Sequence, residues 1–133
     1  MYIEIFEKCP EIDEIVLVVN PHYIEFVNKL LLIEKFSKLT KVIGGGELRL
    51  ENSNNGLNCI DAKEDDILLI HDAVRPLVKV ECIQNCINKL KDVNAVGVAV
   101  PVTDTMYEFN ENNEITKTID RKKLLRAQTP QGF

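Results

Sequence analysis

Short apolar runs, each closed by a polar or glycine turn and followed by a helix-period stretch, constrain this chain more than any other feature. Ile15-Val16-Leu17-Val18-Val19 is the plainest of them, uninterrupted and stopped by Asn20-Pro21. A run without alternating polar residues suits a strand covered on both faces. Residues 22–39 then carry Tyr23, Phe26, Val27, Leu30 and Leu31 at helical spacing, with a break predicted before Phe36. Lys41-Val42-Ile43 predicts a short strand running into Gly44-Gly45-Gly46. Residues 47–60 read as a helix, weakened by Asn52-Ser53-Asn54-Asn55-Gly56. The pattern repeats in the strand Ile67-Leu68-Leu69-Ile70, a helix over 79–91 and the strand Ala95-Val96-Gly97-Val98-Ala99-Val100, closed by Pro101. Strand and helix in succession imply right-handed crossovers and an α/β class. The expected architecture is a mainly parallel, Rossmann-like sheet with helices on both faces.

After Pro101 the period changes. Thr105-Met106-Tyr107-Glu108-Phe109 and Ile115-Thr116-Lys117-Thr118-Ile119 alternate, and Asn110-Glu111-Asn112-Asn113-Glu114 separates them. Two period-2 runs around a polar five-residue loop predict a β-hairpin. Its half-polar faces suggest an arm that leaves the sheet and packs on a partner subunit. With 133 residues the chain has room for one domain, 1–133, whose β-arm spans about 104–121.

Charge and cysteine usage narrow the function. Lys+Arg 16 against Asp+Glu 21 gives a formal charge of −5 without a basic cluster, a poor match for nucleic acid or anionic membranes. No apolar run approaches the ~18–20 residues of a membrane span. Met1-Tyr2-Ile3-Glu4-Ile5-Phe6-Glu7 is acidic and amphipathic, with no basic n-region, and so does not read as a signal peptide. Cys9, Cys59, Cys82 and Cys86 lack the C-x-x-C spacing of zinc or redox sites. Cys82 and Cys86 are expected as small apolar residues on the core face of a helix. A reducing cytoplasm is the expected compartment.

Three polar clusters fall at the carboxyl ends of predicted strands, where open parallel sheets bind ligands. The first is Gly44-Gly45-Gly46, whose backbone amides can approach a ligand beside a helix N-terminus or can simply turn the chain. The second is His71-Asp72-Ala73-Val74-Arg75-Pro76. Asp72 suits a divalent metal or a ribose hydroxyl, and Arg75 offers a fork for phosphate. An Asp72–Arg75 ion pair capping the next helix fits the residues equally well, and His71 reads as structural rather than as a base. The third is Pro101-Val102-Thr103-Asp104-Thr105.

Taken in order with Pro10-Glu11-Ile12-Asp13-Glu14-Ile15, Gly45-Gly46-Glu47-Leu48-Arg49, Asp120-Arg121 and Arg126-Ala127-Gln128-Thr129-Pro130-Gln131-Gly132-Phe133, these clusters resemble the 2-C-methyl-D-erythritol 4-phosphate cytidylyltransferases. The ribitol 5-phosphate cytidylyltransferases share much of the set. Val74 leans toward the ribitol enzymes, while Asp120-Arg121 and Arg126-Ala127-Gln128 lean toward the first. The resemblance implies a magnesium-dependent nucleotidyl transfer, in which a sugar-alcohol phosphate attacks the α-phosphorus of CTP and pyrophosphate leaves. It places Gly45, Gly46, Glu47, Asn52, Asp72 and Ala73 at the nucleotide, and Asp72 at the metal. Arg75, Thr105, Arg121 and Thr129 fall at the phosphosugar. Thr105 and Arg121 reach it across a homodimer formed through the β-arm, and Asp72 and Arg121 are the expected catalytic residues. Asn52 stands where the family has a serine, and Tyr107 where a lysine is common. Relative to the family pattern the chain is expected to be a middle portion. It begins after the Gly-rich L-A-A-G-x-G-x-R loop and ends before a Thr-Asp-Asp segment. A non-catalytic module that binds nucleotide or dimerises is the alternative of another class.

Overall fold

The structure, a computed structural model, describes residues 3–133. Met1 and Tyr2 of the amphipathic N-terminal segment lie outside the described residues. In chain order the elements are α1 (Ile3–Glu7), β1 (Ile15–Val19), α2 (Ile24–Ile33), β2 (Leu39–Gly44), α3 (Arg49–Asn58), β3 (Leu69–Ile70) and α4 (Val80–Leu90). They continue with β4 (Val96–Pro101), β5 (Met106–Phe109), β6 (Ile115–Ile119) and β7 (Leu125–Gly132). Each run singled out by its apolar pattern forms the expected kind of element, and the protein is α/β.

The strands group into three ladders. β1 and β2 pair in parallel, with Val16 opposite Lys41 and Val19 opposite Gly44. β3 and β4 run in a common direction on either side of β7, which is antiparallel to both. β5 and β6 form a separate antiparallel hairpin. Within the described residues β1 pairs only with β2, and all five of its residues are half-buried rather than covered on both faces. An edge strand keeps one flank open whatever its composition.

β7 is a strand that its composition does not announce. Arg126-Ala127-Gln128-Thr129-Pro130-Gln131 has no apolar alternation, and proline removes a ladder donor. The register shows how the strand tolerates it. Gly97 lies opposite Gln131 and Ala99 opposite Ala127, so Gln128, Thr129 and Pro130 bulge against the single residue Val98. The Thr129–Pro130 peptide is cis.

The core sits between α1 and α4. On α4, Ile83, Cys86 and Ile87 are buried at helical spacing, and Phe6, Cys9, Ile83 and Ile87 form one cluster with Ile12, Ile15 and Leu69 packed against it. Cys86 is buried as expected, and Cys82 is half-buried. α1 is tied to the start of β2 through Glu7, whose carboxylate accepts the amides of Ser37 at 2.6 Å and Lys38 at 3.1 Å. α2 sets Ile24, Val27 and Leu31 toward β2 and leaves Phe26, Leu32 and Ile33 exposed. Among the described residues no helix is long and apolar enough to cross a membrane.

Candidate active site

β2 delivers the chain into Gly44-Gly45-Gly46, and the first turns of α3 fold back onto that loop. Asn52 Oδ1 accepts the Gly46 amide at 2.8 Å, Glu51 accepts the Leu48 amide at 3.1 Å, and Asn55 Nδ2 donates to the Gly44 carbonyl at 3.1 Å. The Gly45 amide donates to the Val19 carbonyl at 2.7 Å. A Cβ on Gly45 would run into the Asn52 side chain, and one on Gly46 into Glu51, so the close approach requires glycine at both positions. The loop is thus not the cradle of free amides that the triplet allows. Its N–H groups at 45, 46 and 48 are satisfied internally, and the Glu51 carboxylate occupies the α3 N-terminus that an anion would want. What remains accessible is backbone carbonyl and Glu47, which makes no side-chain bond among the described residues.

Across from this loop, β3 ends in His71-Asp72. The Asp72 carboxylate lies between two guanidinium groups. Arg49 Nε donates to Oδ1 at 3.2 Å, and Arg75 Nε donates to Oδ2 at 3.3 Å. Each arginine also reaches a glutamine of β7: Arg49 Nη2 donates to Gln131 at 3.3 Å, and Arg75 Nη1 donates to Gln128. The β7 bulge places Gln128 and Thr129 beside Asp72. Thr129 is buried, and its Oγ1 accepts the Asp72 amide at 3.1 Å. Burial pushes the Asp72 carboxyl up, but the hydrogen bonds and charges of Arg75 and Arg49 outweigh it and hold it below its ordinary value.

His71 is structural, as its sequence context suggests. Nε2 lies 3.0 Å from the Arg75 carbonyl, which can only accept, so Nε2 carries the proton. Nδ1 then accepts the Thr129 hydroxyl at 3.0 Å. The ring packs against Phe6 at 5.1 Å between centroids, which ties the site to the core. Desolvation lowers the His71 pKa more than the Arg75 carbonyl and the Asp72 charge raise it, so the ring is neutral near pH 7.

Asp72, Arg75 and Thr129 therefore come together as one cluster, with Asn52 on α3 closing the glycine loop and Ala73 exposed in the Asp72–Arg75 turn. Thr105 and Arg121 do not join it. Arg121 Nη1 donates to the Thr103 carbonyl at the foot of the hairpin, and among the described residues no bond links either residue to Asp72. Leu125, where the hairpin returns to the sheet, lies at most ~13 Å of strand from Thr129. Three further residues, Arg49, Gln128 and Gln131, lie inside quoted motifs without a role read from them. A cation three residues past a glycine run, with an aspartate at the end of the next predicted strand, was the available signal.

Among the described residues no group of three or more histidine, cysteine or acidic side chains is placed to hold a metal. Asp72 is a single carboxylate beside two cations, and it attracts a dication only where phosphate oxygens supply further negative charge. That is the usual manner of magnesium, held by one or two carboxylates and a substrate's phosphates.

A carboxylate framed by two guanidinium groups thus stands at a strand end, and Arg49 joins it to the helix that follows the glycine loop. The family model described as IspD, 2-C-methyl-D-erythritol 4-phosphate cytidylyltransferase, matches residues 2–133. The chain belongs to the IspD family. A 2-C-methyl-D-erythritol 4-phosphate cytidylyltransferase of Thermobifida fusca is 40% identical over 130 residues, covering 94% of this chain and 52% of that protein. A Haemophilus influenzae bifunctional ribulose 5-phosphate reductase/CDP-ribitol pyrophosphorylase is 38% identical over 131 residues, covering 97% of this chain and 28% of its own length. The crystal structure of a 4-diphosphocytidyl-2C-methyl-D-erythritol synthase from Anaerococcus prevotii superposes with a TM-score of 0.86 at 27% identity, covering 99% of this chain and 57% of that one. This IspD-family chain thus spans about half the length of the cytidylyltransferase relatives it matches.

Proposed function

We propose that this chain carries the central part of a cytidylyltransferase site, which transfers CMP from CTP to 2-C-methyl-D-erythritol 4-phosphate and releases pyrophosphate. The observation that carries this reading is the Asp72 carboxylate held between Arg49 and Arg75, opposite the closed glycine loop. Free carbonyls along Gly45 and Gly46, and the Glu47 carboxylate, suit the exocyclic amine of cytosine and a ribose hydroxyl. Ala73 adds backbone contact. Bound magnesium would sit on Asp72 together with nucleotide phosphates and would neutralise charge in the transfer. Arg75, oriented by Asp72 and Gln128, and Thr129, at its side, line the place for the acceptor's phosphate. Bringing two phosphorylated molecules together in line needs cations and positioning more than a covalent nucleophile.

Thr105 and Arg121 complete this reading only from a second copy. Met106, Tyr107, Phe109 and Ile115 on β5 and β6 are all exposed, which supports a homodimer built through the arm. Arg121 of one protomer then orients the acceptor phosphate at its partner's Asp72 cluster. The four free cysteines fit a reducing cytoplasm.

Transfer to ribitol 5-phosphate is the second reading, favoured by the Haemophilus influenzae relative and by Val74 in the loop after Asp72. CTP-dependent pyrophosphate release, measured with each phosphosugar on a protein that includes this chain and the flanking sequence of its gene, decides between them. Turnover with the erythritol phosphate alone is the expected result, and turnover with neither overturns the reading. Calorimetry of magnesium–CTP with the 133-residue chain isolates its own share; binding without turnover supports a nucleotide-binding module.

A further inference from the structure

We propose that Arg49 is a positioning residue, a strut that holds the glycine loop and the Asp72 turn at a fixed separation so that one nucleotide can touch both. The proposal rests on the nucleotide reading above and adds to it a residue for which that reading alone gives no task.

Among the described residues no backbone ladder joins β1 and β2, which carry the glycine loop, to the sheet formed by β3, β7 and β4, whereas one side chain does span them. The loop itself is rigid, closed by Asn52, Glu51 and Asn55. The Asp72 turn is equally fixed, through the Thr129 hydroxyl and its own Arg75 amide, which donates to the Asp72 carbonyl at 3.0 Å. A side chain bonded to both sides fixes the distance between two such stiff loops. Arg49, the first residue of α3, supplies two contacts at once, one to Asp72 and one to Gln131. Only a planar fork with several fixed donors reaches two acceptors on different strands in this way. The side chain is 59% exposed, so the ion pair itself adds little to global stability. Its contribution lies in geometry, and misplacement of about 1 Å in such a site can cost on the order of 100-fold in rate.

Amide hydrogen exchange and calorimetry on the 133-residue chain, with Arg49→Ala and Arg49→Lys, test this. The strut predicts faster exchange in Arg49→Ala at the loop amides of residues 45–48 and at residues 72–75, with the amides of α4 unchanged. Magnesium–CTP affinity falls about tenfold in the same variant. Arg49→Lys, which keeps one contact but lacks the fork, falls between. Unchanged exchange at both loops overturns the proposal. So does a uniform rise that includes α4, which marks a purely structural residue. If a protein that includes this chain and its flanking sequence does not bind magnesium–CTP, the nucleotide reading fails, and the exchange arm still decides whether Arg49 couples the two loops.

Discussion

The Asp72 cluster and the β5–β6 hairpin carry residues implied in one reaction, yet they are built in opposite ways. Around Asp72, side chains from α3, the turn after β3 and the bulge of β7 satisfy one another. Thr129 bonds both the Asp72 amide and the His71 ring, and two arginines share one carboxylate. On the hairpin, all four residues of β5 are exposed, and the side-chain bonds close locally, as where Asn110 Oδ1 accepts the amides of Asn112 and Glu114 at 3.0 Å. In the proposed reading, the difference separates a site half that one chain assembles from a half that needs a surface outside it. The proposal gives the preorganised carboxylate to the nucleotide and its charges. A short arm with apolar residues on solvent is what the proposed homodimer would cover.

The sharpest way to break this contrast is Asp72→Asn. The change keeps the shape, removes the one charge between Arg49 and Arg75, and leaves two guanidinium groups facing each other. In a protein with the flanking segments, pyrophosphate release should fall by roughly 10²–10³. Folding stability should fall only by about 1–2 kcal/mol, since the carboxylate is 26% exposed. Equal turnover in Asp72→Asn would mean that the assembled cluster is not the reacting half.

Thr129→Val sharpens the same side. It preserves volume but leaves the half-buried Asp72 amide and His71 Nδ1 without this partner, at a cost of about 1–3 kcal/mol in unfolding free energy measured in urea. A change under about 0.5 kcal/mol would show that the hydroxyl does not organise the turn.

Much of this division is legible in the residues, and the illegible part has definite causes. The apolar runs at Ile15–Val19 and Val96–Pro101 mark strands because burial selects β-branched residues there. The hairpin reads clearly because period-2 runs and an asparagine-rich loop coincide, with Asn113 taking φ 62 in the turn. β7 escapes the same reading, since a strand that carries a site is selected for Gln128, Thr129 and Gln131 rather than for alternation. Arg49 escapes as a role for another reason. It lies 23 residues from Asp72 and 82 from Gln131 in the chain, and no local pattern encodes a bond that only the packing of two sheets creates. The glycine triplet is harder to read for the opposite reason, because its amides are closed from outside it, Gly45 by the Val19 carbonyl and Gly46 by Asn52 of the helix that follows.

A pH series probes the cluster more gently. His71 is held neutral, with a pKa below its unfolded value, so its contribution to stability is complete above about pH 6.5 and is lost as pH falls toward the folded value. Protonation puts a second N–H on Nδ1 against the Thr129 hydroxyl, which already accepts the Asp72 amide. Asp72, whose folded pKa is lowered, loses its contribution only below about pH 4. The melting temperature should therefore decline by a few degrees between pH 7.5 and 5.5. His71→Asn should flatten that decline, and an unchanged slope would show that the acid sensitivity arises elsewhere.

The smallest effect on folding, and the cleanest test of the other half, comes from the hairpin. Phe109 and Ile115 face each other across β5 and β6 and are 67% and 64% exposed. A cross-strand pair of this kind contributes about 0.2–1 kcal/mol, so replacing both with serine should lower the unfolding midpoint by no more than that. Burial of the same pair against a second copy would contribute several times as much to association, because large apolar residues each yield about 1.5–3 kcal/mol when fully covered. Sedimentation should then show a dimer in the unsubstituted chain and a monomer in Phe109→Ser/Ile115→Ser. Exchange around Asp72 should stay the same in both. A monomer before substitution would leave Arg121 bonded to the Thr103 carbonyl, and Arg75 would be the cation of the Asp72 turn left to hold the acceptor's phosphate.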